Sequence, residues 1–176
     1  MNSLEVVKSE SIFLQRRAVE SPVEVKIIPL SCERMQSILQ DWRTYIKEKM
    51  ATKELSPEMK TRLSVCNKVI VNSLLDLKSD KKLYAIEVDS KIEGILIATI
   101  QDKKSTFYVD TLASSPRNLS GETQIKGVGS ALINRAIQEA KNSGLAFIKL
   151  RFFDGAEGFY KKMGMSQTEQ GFVRNI

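Results

Sequence analysis

The segment Gln124-Ile125-Lys126-Gly127-Val128-Gly129-Ser130 runs straight into the helical pattern Ala131-Leu132-Ile133-x-x-Ala136-Ile137, and this junction constrains the chain more than any other stretch. Glycines at 127 and 129 remove two Cβ atoms where the chain turns into the helix, so consecutive backbone N–H groups can point at one anion. The first helical turn adds its unpaired donors and the positive end of its dipole. The two glycines alone leave two readings open, an anion cradle or an ordinary turn, and the flanking sequence has to choose between them.

The chain has 176 residues, 42% of them hydrophobic, which suits one domain with a sizeable core. No apolar run approaches bilayer length, and residues 1–21 mix Glu5, Glu10 and Glu20 with Lys8, Arg16 and Arg17, unlike a signal or transit peptide. Two cysteines, Cys32 and Cys66, are too few for a disulfide framework, and without histidine there is no sensible zinc set. A reducing, cytoplasmic setting with no metal and no membrane is therefore expected. The lack of histidine also excludes every mechanism with an imidazole base, leaving Asp, Glu, Tyr, Lys, Cys or water. The net charge of +6 is scattered among acids, which argues against a nucleic-acid surface but suits a polyanionic cofactor.

Residues 1–21 read as a loose or docked extension, and the domain is expected to span 22–176. Val23, Val25 and Ile27 alternate as a first strand. Ser31 caps an amphipathic helix with Met35, Ile38, Leu39, Trp42, Tyr45, Ile46 and Met50 on its inner stripe. Ser56-Pro57-Glu58 opens a second helix, in which Cys66 reads as a small buried hydrophobe rather than a nucleophile. Leu83 to Val88 and Ile92 to Ile100 form a hairpin over Asp89-Ser90-Lys91, with Gly94 a possible bulge, and Thr106 to Ala113 completes a meander. The glycine-rich turn, a helix ending near Asn142, and a strand over Leu145 to Phe153 then imply a right-handed crossover and a parallel pair. A short helix over Ala156 to Met163 and a last strand over Thr168 to Arg174 close an α/β domain with a mixed sheet.

A dinucleotide-binding reading of Gly127-Val128-Gly129 fails because Leu132 holds the third glycine position, and a P-loop fails for want of Gly-Lys-Ser/Thr. What matches is Gln124-x-x-Gly127-x-Gly129 between a strand and a helix, followed by Ala156-x-x-Phe159-Tyr160-x-x-x-Gly164. The two motifs in register, with elements in order over residues 22–176, resemble the GNAT superfamily of N-acyltransferases. The resemblance implies a mostly antiparallel sheet with one splayed parallel pair, flanked by about four helices.

It also implies acetyl-CoA as acyl donor, with its pyrophosphate on the backbone of Gln124, Ile125, Lys126, Gly127, Val128, Gly129 and Ser130. The pantetheine arm would lie along Leu112, Ala113 and Ser114, where a splayed strand offers free ladder groups. Lys126 either adds charge near the phosphates or is simply solvated. The acceptor would be a primary amine, of a small molecule or a protein, attacking directly in a ternary complex.

Such an amine, with a pKa near 10.4, must lose a proton at a cost of roughly 4 to 5 kcal/mol at neutral pH, and the thiolate must gain one. Tyr160 stands at the family's catalytic tyrosine, a phenol that stays protonated at pH 7; its alternative is a tyrosine packed on the sheet. Asp110 shares a strand face with Tyr108 and Leu112 by period-two alternation, and is either the base or an exposed strand aspartate beside a water chain. Glu87 and Glu93 are weaker candidates for the base.

Three departures stand out. Phe153 replaces an asparagine often found seven residues before the tyrosine, so that contact is lost or passes to Asp154. The long segment 116–124 is expected to form a flap over the acyl end. The dozen residues after Gly164 leave room for one closing strand, whose open edge would favour a homodimer or need the N-terminal extension as cover. A non-catalytic acyl-CoA-binding module for sensing or assembly would carry the same loop, and would keep CoA binding when Tyr160 is replaced.

Overall fold

A computed structural model describes residues 10–16, 19–52, 54–151 and 156–176. The strands β1 (Glu10–Arg16), β2 (Val19–Pro29), β3 (Lys82–Val88), β4 (Lys91–Gln101), β5 (Thr106–Ser114), β6 (Ile125–Lys126), β7 (Phe147–Leu150), β8 (Ser166–Thr168) and β9 (Gly171–Asn175) form one sheet. Its order is β6-β1-β2-β3-β4-β5-β7-β9-β8, antiparallel except for the β5–β7 pair. The helices are α1 (Cys32–Ala51), α2 (Pro57–Asp76), the single turn α3 (Pro116–Leu119), α4 (Val128–Asn142) and α5 (Glu157–Lys162). Among the described residues no helix is long and apolar enough to cross a membrane.

Period-two alternation divides the core between the two sheet faces. Leu83, Ala85, Ile95 and Ile97 pack under α1 and α2 with Met35, Leu39, Leu63, Cys66 and Ile70. Their neighbours Tyr84, Ile86, Leu96 and Ala98 face the other way, onto Val128, Leu132, Ile133 and Ala136 of α4. Ser31 and Ser56 cap α1 and α2 by accepting from the N–H groups of Arg34 and Met59. The expected stripes hold, except that Met50 at the end of α1 is exposed. The β3–β4 turn places Asp89 and Ser90 at positive φ, the geometry that matches the twist of a two-residue hairpin.

Two bulges bend this frame. Ile86 faces Gly94 and Glu87 faces Ile92, so Glu93 is the extra residue beside the glycine expected to mark a bulge. Gly94 is needed for a second reason: a Cβ there would overlap Val128 and crowd Leu132, so α4 could not approach the sheet. On β5, Ile97 faces Thr111 and Ala98 faces Val109, which leaves Asp110 as the extra residue.

The chain differs from its sequence reading at both ends. Glu10–Arg16, in the segment read as an extension, is a strand on β2, and its end pairs with β6 through Gln15↔Lys126 and Arg16↔Ile125. At the other edge two strands, not one, close the sheet, because Glu169-Gln170 make a tight turn and Thr168 pairs with Gly171. That turn lacks the Asn-Gly or Asp-Gly signal of a hairpin. Gly171, at φ 141°, lies so close to the Leu150 carbonyl that a side chain would collide with it.

An ion pair on α4 packs against the meander: the buried Arg135 meets the half-buried Glu139 at 2.6 Å and lies over the Tyr84 ring of β3, 4.8 Å from its centre. Removing one member of such a pair leaves the other charged and buried, so Glu139→Ala is expected to cost about 3 kcal/mol and to lower Tm by roughly 6 to 12 °C. A melting curve within a degree of the parent protein would show that the pair contributes nothing. Deleting residues 1–17 removes the partner of β6 and a strand of the sheet, and is expected to lower Tm, read by calorimetry; an unchanged Tm would mean that β6 and the sheet edge hold without it.

Candidate active site

The β5–β7 pairing runs only from Thr106↔Phe147 to Val109↔Leu150, whereas β5 continues to Ser114. Beyond Val109 the flank of β5 toward β7 therefore has no ladder partner among the described residues, and a cleft of about 400 Å³ opens there. Leu112, Ala113 and Ser114 form one wall, Ile125, Gly127, Val128, Gly129 and Ser130 the second, and Phe159 and Tyr160 the third. Nine of the residues singled out from the sequence thus line one cleft. Gln124 and Lys126 belong to the same loop but point to solvent, and Asp154 lies outside the described residues.

The loop is preformed for an anion. Gly127 adopts φ 85° as the N-cap of α4, and Gln124 is also left-handed, at φ 50°. α1, α2 and α3 each begin with a serine that accepts a backbone N–H, but α4 has no side-chain cap. Its first-turn donors face the cleft at the positive end of the dipole. Gly129 has a separate role: a Cβ there would sit 3.1 Å from the Phe159 ring, so the missing side chain lets α5 close against the loop.

A polar network fixes the cradle from behind. Asn118 donates to the Ile125 carbonyl and accepts from the Ile125 N–H, both at 2.8 Å, replacing a strand partner. The buried Glu93 accepts from Ser115 Oγ at 2.6 Å and from Thr123 Oγ1 at 3.0 Å. Tyr45 on α1 meets Ser120 at 2.9 Å and donates to Glu122 at 2.7 Å, while Lys49 pairs with Glu122 at 2.6 Å. The segment after Pro116 is accordingly a pinned strut and not the flap expected from its length.

Tyr160 is 4% exposed and packs against Phe159 at 5.1 Å and Phe172 at 4.9 Å between ring centres. Burial pushes its phenol up to about 12. Asp110 is elsewhere. The bulge breaks the alternation assumed from the sequence: Val109 faces α4, Thr111 bonds Ser73 of α2, and Leu112 returns to the α4 face. Asp110 therefore does not share a face with Leu112. Its Oδ2 accepts from Thr99 Oγ1 at 2.7 Å and from Lys81 Nζ at 3.0 Å, and it lines a separate cavity of about 120 Å³ with Asp76 and Arg151.

Against this geometry the acetyltransferase (GNAT) domain family matches residues 29–176. The chain belongs to the GNAT acetyltransferase family. Solved GNAT structures share its fold. The PaiA N-acetyltransferase of Thermoplasma acidophilum, in complex with coenzyme A, matches at TM-score 0.52 and 20% identity, over 85% of this chain and 96% of that one. A GNAT-family acetyltransferase of Staphylococcus aureus Mu50 matches at TM-score 0.53 and 14% identity, over 86% and 98%. Ard1 of Thermoplasma volcanium matches at TM-score 0.52 and 15% identity, over 86% and 97%. No curated protein matches the chain. Family and fold together support acyl transfer from a CoA-linked donor.

Sequence reasoning missed Phe159 as a cleft wall and the Glu93, Ser115 and Asn118 supports. Ser115-Pro116, a serine cap before a first-position proline, was the available signal for α3. Gly129→Val forces a branched side chain toward the Phe159 ring, an overpacking of about 1 to 3 kcal/mol. CoA affinity should fall roughly tenfold or more by calorimetry, and parent-like affinity would remove Gly129 from the cradle.

Proposed function

We propose that the protein transfers an acetyl group from acetyl-CoA to a primary amine by direct attack in a ternary complex. One observation carries this reading. A second groove, of about 500 Å³, lies on the α2 side of β5, and Leu112, Ala113, Ser114 and Tyr160 line both it and the cleft. Donor and acceptor entering from opposite sides would meet at these residues, which is what one-step transfer needs.

The cysteines support direct attack. Cys66 lines the groove, but burial pushes its thiol up to about 11, so it is not a ready nucleophile for a covalent acyl-enzyme. Cys32 Sγ donates to the Lys78 carbonyl at 3.1 Å and lines neither the cleft nor the groove.

The donor's pyrophosphate would rest on the first-turn amides of α4, and its amide-bearing arm along Leu112 to Ser114. At the thiol end Tyr160 acts chiefly as a hydrogen-bond donor. Full proton transfer from a phenol near 12 to a thiolate whose acid has a pKa near 8.5 is uphill by roughly 5 kcal/mol. The step becomes favourable only when the phenol gains a proton as it loses one, from the nitrogen made acidic by bond formation. Tyr160 is then a relay from nitrogen to sulfur.

Asp110, held by Lys81 and Thr99 away from the cleft, positions the bulge, and we assign the amine's first deprotonation to water in the groove.

Tyr160→Phe should lower the transfer rate by two or more orders of magnitude at near-normal acetyl-CoA affinity. An unchanged rate would take Tyr160 out of the reaction. In the parent protein, kcat/KM should rise with pH toward the acceptor's own pKa near 10 and show no falling limb below about pH 11, since Tyr160 stays protonated there. A falling limb between pH 7 and 9 would identify a different acid. CoA binding without turnover of any amine would favour a non-catalytic acyl-CoA module.

A further inference from the structure

The walls of the α2-side groove bear on what the acceptor is, a question that rests on the acetyl-transfer reading. Val65, Cys66, Val69, Leu112 and Leu119 give it an apolar surface, and Val65 is 52% exposed, a branched apolar side chain held open at the rim. Among the described residues lining it, the one charged side chain is Arg62, which pairs with Glu58 at 2.7 Å one helical turn away. No carboxylate lines it among those residues. Asp76 and Asp110 lie beyond Val69 in the smaller cavity, where Lys81 and Arg151 face them.

This distribution of charge discriminates between amines. With the reacting nitrogen at Leu112 and Tyr160, the rest of the acceptor must lie along the apolar wall toward Val65. A hydrocarbon body is favoured there by the water it releases. A second ammonium would be desolvated against that wall, and the nearby carboxylate, Glu58, is already held by Arg62 at 2.7 Å. We propose that the acceptor is a small primary monoamine with an apolar body, and that diamines and polyamines are disfavoured by the apolar wall of Val65, Val69, Leu112 and Leu119 and by Arg62, the one charged side chain among the described residues that line the groove.

The test uses the full chain with acetyl-CoA and the alkylamines from propylamine to hexylamine, with 1,6-diaminohexane as the matched diamine. Each buried methylene is worth about 0.8 kcal/mol, so kcat/KM should rise up to about fourfold per carbon, and hexylamine should exceed 1,6-diaminohexane by tenfold or more. A flat series, or a diamine that matches hexylamine, overturns the inference while leaving the reaction standing. Octanoyl-CoA outperforming acetyl-CoA, with the alkylamine trend abolished, overturns it too, by placing the donor's chain in the groove.

Val65→Glu adds a carboxylate at the exposed rim without disturbing the core. The hexylamine to diaminohexane ratio should narrow at least tenfold, and an unchanged ratio removes the groove from acceptor recognition. If no amine turns over although CoA binds, the acetyl-transfer reading fails, and competition binding of the two amines to the CoA complex still reads the preference. Equal binding there overturns the inference.

Discussion

The site depends on the point at which β5 and β7 part company. A parallel pair that stayed zipped would satisfy every ladder group and leave no room between α4 and α5. Among the described residues pairing stops at Val109↔Leu150, and Asp110, the next residue on β5, is the bulge. A bulge bends its strand and strengthens its twist, so β5 changes direction just past its last described pair with β7. The opened edge, the uncapped end of α4 and the buried Tyr160 then surround one volume.

Three glycines make the closeness of these parts possible, each differently. Gly94 admits Val128 to the sheet, Gly127 supplies the left-handed turn that aims the amides, and Gly129 makes room for Phe159. Behind them the supports are polar: the Asn118 amide on Ile125, and the Glu93 carboxylate under Ser115 and Thr123. These bonds hold the loop in place from the side away from the cleft, so the backbone amides there need not reorganise to meet a ligand.

Most of the frame was legible in the sequence because it rests on local signals. Serine caps, period-two strands, a two-residue hairpin and the paired glycines each state their role within a few residues. What escaped is non-local. Asp110 was placed with Leu112 by simple alternation, which a one-residue bulge overturns, and nothing near Asp110 marks that bulge as Gly94 marks the other. The closing hairpin was undercounted because its turn uses Glu169 and Gln170. The strut after Pro116 looked like a free flap because its restraints come from Tyr45, Lys49 and Glu93, far off in sequence.

The pairing of β1 with β6 joins stretches of chain more than a hundred residues apart. Contacts of such long sequence separation close late, because the loop entropy must be lost before the contact returns anything. During synthesis β1 can hydrogen-bond to β2 as soon as both have emerged, but its other edge must wait until the meander and both large helices have been made. The anion cradle is therefore among the last parts of the sheet to be braced. A nascent chain would brace this loop only after β1 to β5 and both large helices have been made.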